Sequence, residues 1–173
     1  GVLGKHLLNC ADAYAAERGF DVVEQGGEHY TWVLSRLAIE LEDLPSCHES
    51  FSIQTWVENV YRLFADRNFV ICNKDEKPIG YVRSVWAMIS METRNPANLL
   101  GLYGDRITNS ICEKECPIAK PGRIKVSQEE AVSEYVAKYS DLDINGHVNS
   151  IKYIEHILDI FPLDTYKKKA LKR

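Results

Sequence analysis

No apolar run in this 173-residue chain approaches the roughly 20 residues that a membrane-spanning helix needs. Basic residues are not in excess either. Lys and Arg number 21 against 25 Asp and Glu, a formal net charge of −4, so the broad basic surface of a nucleic-acid binder is excluded. Cysteine is scarce and unpaired in pattern. Five of them, an odd count without framework spacing, read as reduced thiols in a cytoplasmic setting. Cys112-x-x-x-Cys116 lacks partner ligands at zinc spacing, so neither a metal nor another cofactor is expected. The N-terminus shows no signal peptide, but it also lacks an initiator Met, and a helix begins almost at once. That absence therefore excludes little.

What is present is ordinary for a globular protein, with 45% hydrophobic residues and length for one large domain or two small ones. Residues 2–18 read as a helix. Leu3, Leu7, Cys10, Tyr14 and Arg18 share a stripe with Leu8, Ala11 and Ala15 beside it, and Gly19 is a natural stop. His6 and Asp12 are expected at the surface. Residues 20–29, with Gly26-Gly27, read as a polar loop. Alternation then predicts strands over 30–41, 51–61, 63–73 and 79–91, with Val33, Ser35, Leu37, Ile39 and Leu41 on one face of the first. Residues 74–78 form a hairpin tip. Trp32, Trp56 and Trp86 lie in these strands and read as core rather than as binding platforms.

Residues 93–128 hold Pro96, Pro117 and Pro121 with Gly101, Gly104 and Gly122, and read as a linker with one short helix. Residues 130–140 resume a strand pattern. The expected division is 1–92, 93–128 and 129–173. The first unit runs helix then strands, and the second strand then helix. The chain is accordingly expected to be an internal portion of a longer one, incomplete at both ends.

The most informative stretch is Asp141-Leu142-Asp143-Ile144-Asn145-Gly146-His147-Val148-Asn149. Asp143, Asn145 and His147 stand at alternate positions of a turn, and Gly146 permits a backbone angle other residues resist. Asn149 is a candidate N-cap of a helix running to about Tyr166, with Ile151, Ile154, Leu158 and Phe161 on one face. A helix N-terminus offers unpaired N–H groups and a favourable dipole to negative charge. That suits attack on a thioester carbonyl, which creates an oxyanion. Asn145 supplies a side-chain donor, His147 an acid, base or neutral donor, and Asp143 an orienting carboxylate. The first half also matches a calcium-loop pattern, but the closing Glu would fall at Lys152, whose charge repels calcium. A purely structural turn, with polar helix caps and a satisfied His, is the remaining reading of the motif alone.

The string Asp143-x-Asn145-x-His147-Val148-Asn149-x-x-x-Tyr153 resembles the active-site segment of acyl-acyl-carrier-protein thioesterases, the double-hotdog enzymes that end fatty-acid synthesis. Gln54-Thr55-Trp56-Val57, Asp66-Arg67-Asn68-Phe69 and Ser84-Val85-Trp86-Ala87-Met88-Ile89 are similar to its first-hotdog strands, bacterial members above all. The resemblance implies an α+β double hotdog, each unit a long helix wrapped by an antiparallel sheet. It implies hydrolysis of long-chain acyl-acyl carrier protein. Asn145 and helix-start N–H groups would hold the carbonyl, His147 would assist, and Asp143 would orient the pair. A further Glu or Cys would stand on a strand beyond Arg173. Trp32, Trp56 and Trp86 are the candidates to line the acyl pocket.

The partner implied is acyl carrier protein with its acyl chain, with a homodimer as an allowed assembly and no nucleic acid or membrane. The carrier is acidic and this chain is net negative, so docking would need a local basic patch. Lys120, Arg123 and Lys125, or Lys167, Lys168, Lys169, Lys172 and Arg173, are the candidates. Two alternatives stay open: an acyl-CoA thioesterase, and a hotdog module that binds acyl thioesters without hydrolysing them. A binding module has no need of Asp143, Asn145 and His147 together.

Overall fold

Val2–Glu17 forms α1 and stops where its sequence says it should. Gly19 takes a left-handed φ of 65°. The N–H of Phe20 then reaches the Ala15 carbonyl at 2.8 Å and that of Gly19 the Ala16 carbonyl at 3.2 Å. These are the paired bonds of a Schellman stop, and Phe20 is buried beyond it. Leu7, Ala11 and Ala15 are the buried stripe, while Cys10 and Tyr14 flank it half-buried and Arg18 is exposed. The computed structural model describes residues 2–21, 23–125, 131, 133–143 and 146–168. These group into two bodies, residues 7–123, and residues 124–168 with residues 2–6.

The larger body carries one antiparallel sheet in the order β1-β2-β5-β4-β3. Its strands are β1 (Val23–Gln25), β2 (Glu28–Leu41), β3 (Ser52–Val60), β4 (Ala65–Cys72) and β5 (Pro78–Ser90). The four strands expected from alternation are present. The polar loop of 20–29 instead contains β1. Gln25 pairs with Glu28 across Gly26 and Gly27, whose φ values of 63° and 83° make the tight turn that such a hairpin requires. In β2 the face assignment also needs correction. The register shifts between Leu34 and Arg36, so Ser35 is an inserted residue. Val33 and Leu37 therefore lie on opposite faces, as a bulge requires.

One face of the sheet packs against α1 and against residues that read as linker. Leu99–Tyr103 forms α2 and Asp105–Thr108 forms α3. Ala97, Leu99, Tyr103 and Ile107 are buried in a core with Ala15, Phe20, Ala65 and Met88. The opposite face is covered by residues 112–120. Trp56 Nε1–H donates to the Lys114 carbonyl at 2.7 Å, and Cys116 packs with Trp56, Val70 and Cys72. Residues 97–107 thus contribute to the core of this body, and residues 112–120 cover its other face. All five cysteines are free thiols.

In the smaller body Tyr139–Asp141 forms a single 3-10 turn, followed by α4 (Ser150–Asp159) and α5 (Leu163–Lys168). The strand expected over 130–140 is not formed at 131 or 133–138. A strand needs a neighbour for its backbone groups, and no named strand of this body offers one among the described residues. The helix expected to reach Tyr166 is broken at Pro162, which has no N–H and restrains Phe161 from helical angles. Ile151 is buried as expected of the apolar face, but Phe161 lies past the end of α4 and is 52% exposed. No helix among the described residues is long and apolar enough to cross a membrane.

Gly80 shows how tightly the sheet fits. A Cβ there would sit 2.5 Å from Leu41 Cδ2 and 2.9 Å from the Glu40 carbonyl oxygen. Gly80→Ala is expected to destabilise the protein by roughly 1–3 kcal/mol, the usual cost of overpacking. Urea unfolding followed by tryptophan fluorescence measures it, and an unchanged midpoint would contradict the packing described.

Candidate functional site

The motif folds as a short closed turn leading into α4. Leu142 and Val148 form an antiparallel bridge. Inside it the Asp143 N–H donates to the His147 carbonyl at 2.8 Å, and the Gly146 N–H to the Asp143 carbonyl at 3.1 Å. Gly146 has a φ of 75°, a left-handed angle that glycine adopts without steric cost. The carboxylate of Asp143 then accepts the His147 N–H at 3.1 Å on Oδ1. Asp143 thus reaches His147 through the backbone. The His147 side chain is exposed. Asn145, the third residue expected here, lies outside the described residues together with Ile144.

Asn149 is the N-cap, with its Oδ1 accepting the Ile151 N–H at 2.9 Å. The Asn149 carbonyl accepts the Lys152 N–H at 2.8 Å. Two helix-start donors are therefore already used within the cap, and a bound carbonyl would have fewer backbone donors than the sequence alone suggests. Lys152, the cation that spoils a calcium loop, pairs with Glu155 at 2.7 Å.

Asp141 has a role that its sequence position did not disclose. It is buried, and its Oδ2 accepts both the Tyr135 hydroxyl and the Lys138 N–H at 2.8 Å. His156 of α4 places Nε2 3.2 Å from Oδ1, a close contact without hydrogen-bond geometry. The Tyr135 ring stacks on the His156 ring at 3.7 Å. The Lys138 N–H, the Tyr135 hydroxyl and the charges of His156 and Lys152 together hold the Asp141 carboxyl below its ordinary value, against the opposing effect of burial. Tyr135 and His156 also border an open groove of about 490 Å³ with Val148, Tyr153, Ile157 and Ile160. Nothing in spacing or periodicity marks Tyr135, Asp141 and His156 as a group, because they meet only after α4 has folded.

The larger body has its own cavity, of about 30 Å³, lined by Ala11, Ala15, Trp32, Trp86, Ile107 and Arg67 among others. Trp32 and Trp86 thus border it, and each ring nitrogen has an acceptor, the Phe20 carbonyl and Ser84 Oγ respectively. Trp56 does not. Val57 faces the cavity, so the adjacent Trp56 points to the opposite side of the pleat and is buried under residues 112–120. Arg67, in the strand β4, also borders the cavity. Its guanidinium lies 4.3 Å from the centre of the Tyr14 ring, and burial pushes it down to about 10. Asp12, expected at the surface and exposed there, also borders the cavity, and burial of its carboxyl raises its pKa.

Of the basic residues considered for docking, Lys120 is engaged with Asp66 at 2.9 Å and Glu58 at 3.5 Å. Arg123 and Lys125 are exposed. Lys167 pairs with Asp164 at 3.1 Å. The side chain of Lys168, and Lys169, Lys172 and Arg173, lie outside the described residues.

An α-helix against an antiparallel sheet in one body, and a polar turn opening a helix in the other, define an α+β protein of the hotdog class. Residues 3–103 match the model of the acyl-ACP thioesterase N-terminal domain, and residues 124–173 that of the C-terminal domain. The chain belongs to the acyl-ACP thioesterase family. It is similar to the chloroplastic palmitoyl-acyl carrier protein thioesterase of Gossypium hirsutum, 26% identical over 95% of this chain and 42% of that protein. It thus spans less than half the length of that curated relative. Among solved structures it resembles an acyl-ACP thioesterase from Bacteroides thetaiotaomicron, at 60% identity and a TM-score of 0.85, covering 96% of this chain and 67% of that one. The 12:0-ACP thioesterase from Umbellularia californica shares the fold, with a TM-score of 0.74 at 17% identity over 95% of this chain and 68% of that one.

The surroundings of Asp141 carry a prediction. A depressed carboxyl stabilises the fold above its unfolded-state pKa, and the benefit is lost as pH falls through the folded value. The ordinary value is 3.8 and the shift is downward, so that window lies below 3.8. The side-chain carboxyl carbon of Asp141, followed by NMR, should titrate below 3.8. A midpoint above it would mean that these contacts do not persist in solution.

Proposed function

We propose that the protein containing this chain hydrolyses the thioester of long-chain acyl-acyl carrier protein and releases the free fatty acid. The observation that carries this reading is the seating of the motif. Asp143 holds the His147 backbone two residues before the N-cap of α4, at the positive end of a helix. Asn145 would donate its side-chain amide to the carbonyl oxygen as charge develops there. His147, exposed at the turn, would supply a second donor or move the proton. Asp143 would keep the two in register. The cavity bordered by Trp32 and Trp86 would receive part of the acyl chain after its walls separate, since about 30 Å³ holds no more than a water molecule or so. Acyl carrier protein would be the macromolecular partner, with Arg123 and Lys125 the available basic residues of the first docking group. Five free thiols support a reducing, cytoplasmic setting.

The test is kinetic. Asn145→Ala and His147→Ala should each lower kcat on acyl-acyl carrier protein by a factor on the order of 10²–10³, the cost of one oxyanion donor, with the fold preserved. Near-normal kcat in both variants would remove the catalytic assignment.

A further inference from the structure

Asp141 is unused in the roles proposed above, yet it is 2% exposed and touches three separate parts of its body. Its side chain accepts from Tyr135 and from the backbone of Lys138, and it faces His156 on the second turn of α4. Stacking of Tyr135 on His156 closes the set. Its backbone does as much. The Asp141 carbonyl accepts the Asn149 N–H at 2.8 Å, and the Asp141 N–H donates to the Lys138 carbonyl at 2.9 Å. One residue therefore joins the segment 135–138, the cap of α4 and the body of α4. The turn with Asp143 and His147 hangs between two of these points, because its outer bond is the one from Asn149 to Asp141. A buried carboxylate that loses its donors is costly, so the partners stay as a set.

We propose that Asp141 is the positioning residue of the catalytic turn. Its buried carboxylate ties Tyr135, Lys138 and His156 to the start of α4 and thereby fixes where Asp143 and His147 stand. It acts through these neighbours and not on the substrate. The kinetic consequence rests on the hydrolase reading, while the structural consequence does not.

The experiment compares Asp141→Ala, Asp141→Asn and Tyr135→Phe in the full-length protein by amide hydrogen exchange and by steady-state kinetics. In Asp141→Ala the amides of Asp143, His147 and Asn149 should exchange on the order of tenfold faster or more, while those of Phe69 and Val82 in the sheet keep their rates. Asp141→Asn retains an acceptor for the Lys138 N–H and should restore part of the protection. Tyr135→Phe should give a smaller acceleration at the same three amides. With carrier-bound substrate, kcat should fall in the order Asn then Ala while KM stays within about twofold. Unchanged exchange at the three amides in Asp141→Ala overturns the proposal. If that variant unfolds as a whole, Tyr135→Phe decides: acceleration confined to the three amides supports it, and none overturns it. Wild-type protein without thioesterase activity would defeat the function proposed and leave the exchange result to stand by itself.

Discussion

Strand β4 has no solvent face, and the larger body is arranged around that constraint. All eight of its residues are buried, although its first half reads Ala65-Asp66-Arg67-Asn68. Polar groups enclosed on both sides must find partners or cost more than the sheet gains. On the outer face Asp66 binds Lys120, and Asn68 donates to Glu58, which also meets Arg83 at 3.4 Å. Burial opposes the charge on Glu58, but Asn68, Arg83 and Lys120 outweigh it and keep the carboxyl below its usual range. Arg83 in turn donates to the Cys116 carbonyl at 2.8 Å. These bonds hold residues 112–120 over the sheet, so the cover and the charges require each other. On the inner face Arg67 lies over Tyr14 and beside the cavity that Trp32 and Trp86 border.

The smaller body solves a different problem with the same means. It has little apolar burial among its described residues, with Ile151 and Asp141 the buried side chains. Its order comes from caps and a polar hub. Asn149 caps α4, Asp141 gathers Tyr135, Lys138 and His156, and the turn that carries Asp143 and His147 is strung between those two residues. A site built in this way is held by directional bonds, which fix angles better than apolar packing does.

Much of this was legible in the sequence wherever the signal is local. Gly19, the positions of the four long strands and the cap at Asn149 rest on signals within a few residues, and each stands where expected. What was not legible depends on partners distant in the chain. Ser35 reads as part of an alternating strand until pairing with β5 shows it to be inserted. Residues 97–107 look like linker because their prolines and glycines hide the spacing of Leu99, Tyr103 and Ile107. Trp56 shares its residue type with Trp32 and Trp86, and only strand phase separates it from them. Residues 133–138 have the composition of a strand but no neighbour to pair with among the described residues. Pro162 is a local stop signal, and the apolar spacing of Ile151, Ile154, Leu158 and Phe161 does not reveal it. Asp141 stood within the motif, yet its importance comes from Tyr135 and His156, which no spacing rule joins to it.

The central claim is that this turn serves the cleavage of a carrier-bound thioester. Its most direct test is to offer the full-length protein one long acyl group on acyl carrier protein and the same group on coenzyme A, and to follow fatty acid and free thiol together. The account predicts that both products appear in equal amounts, with kcat/KM higher for the carrier-bound thioester. Saturable binding of both thioesters with no fatty acid released would contradict it.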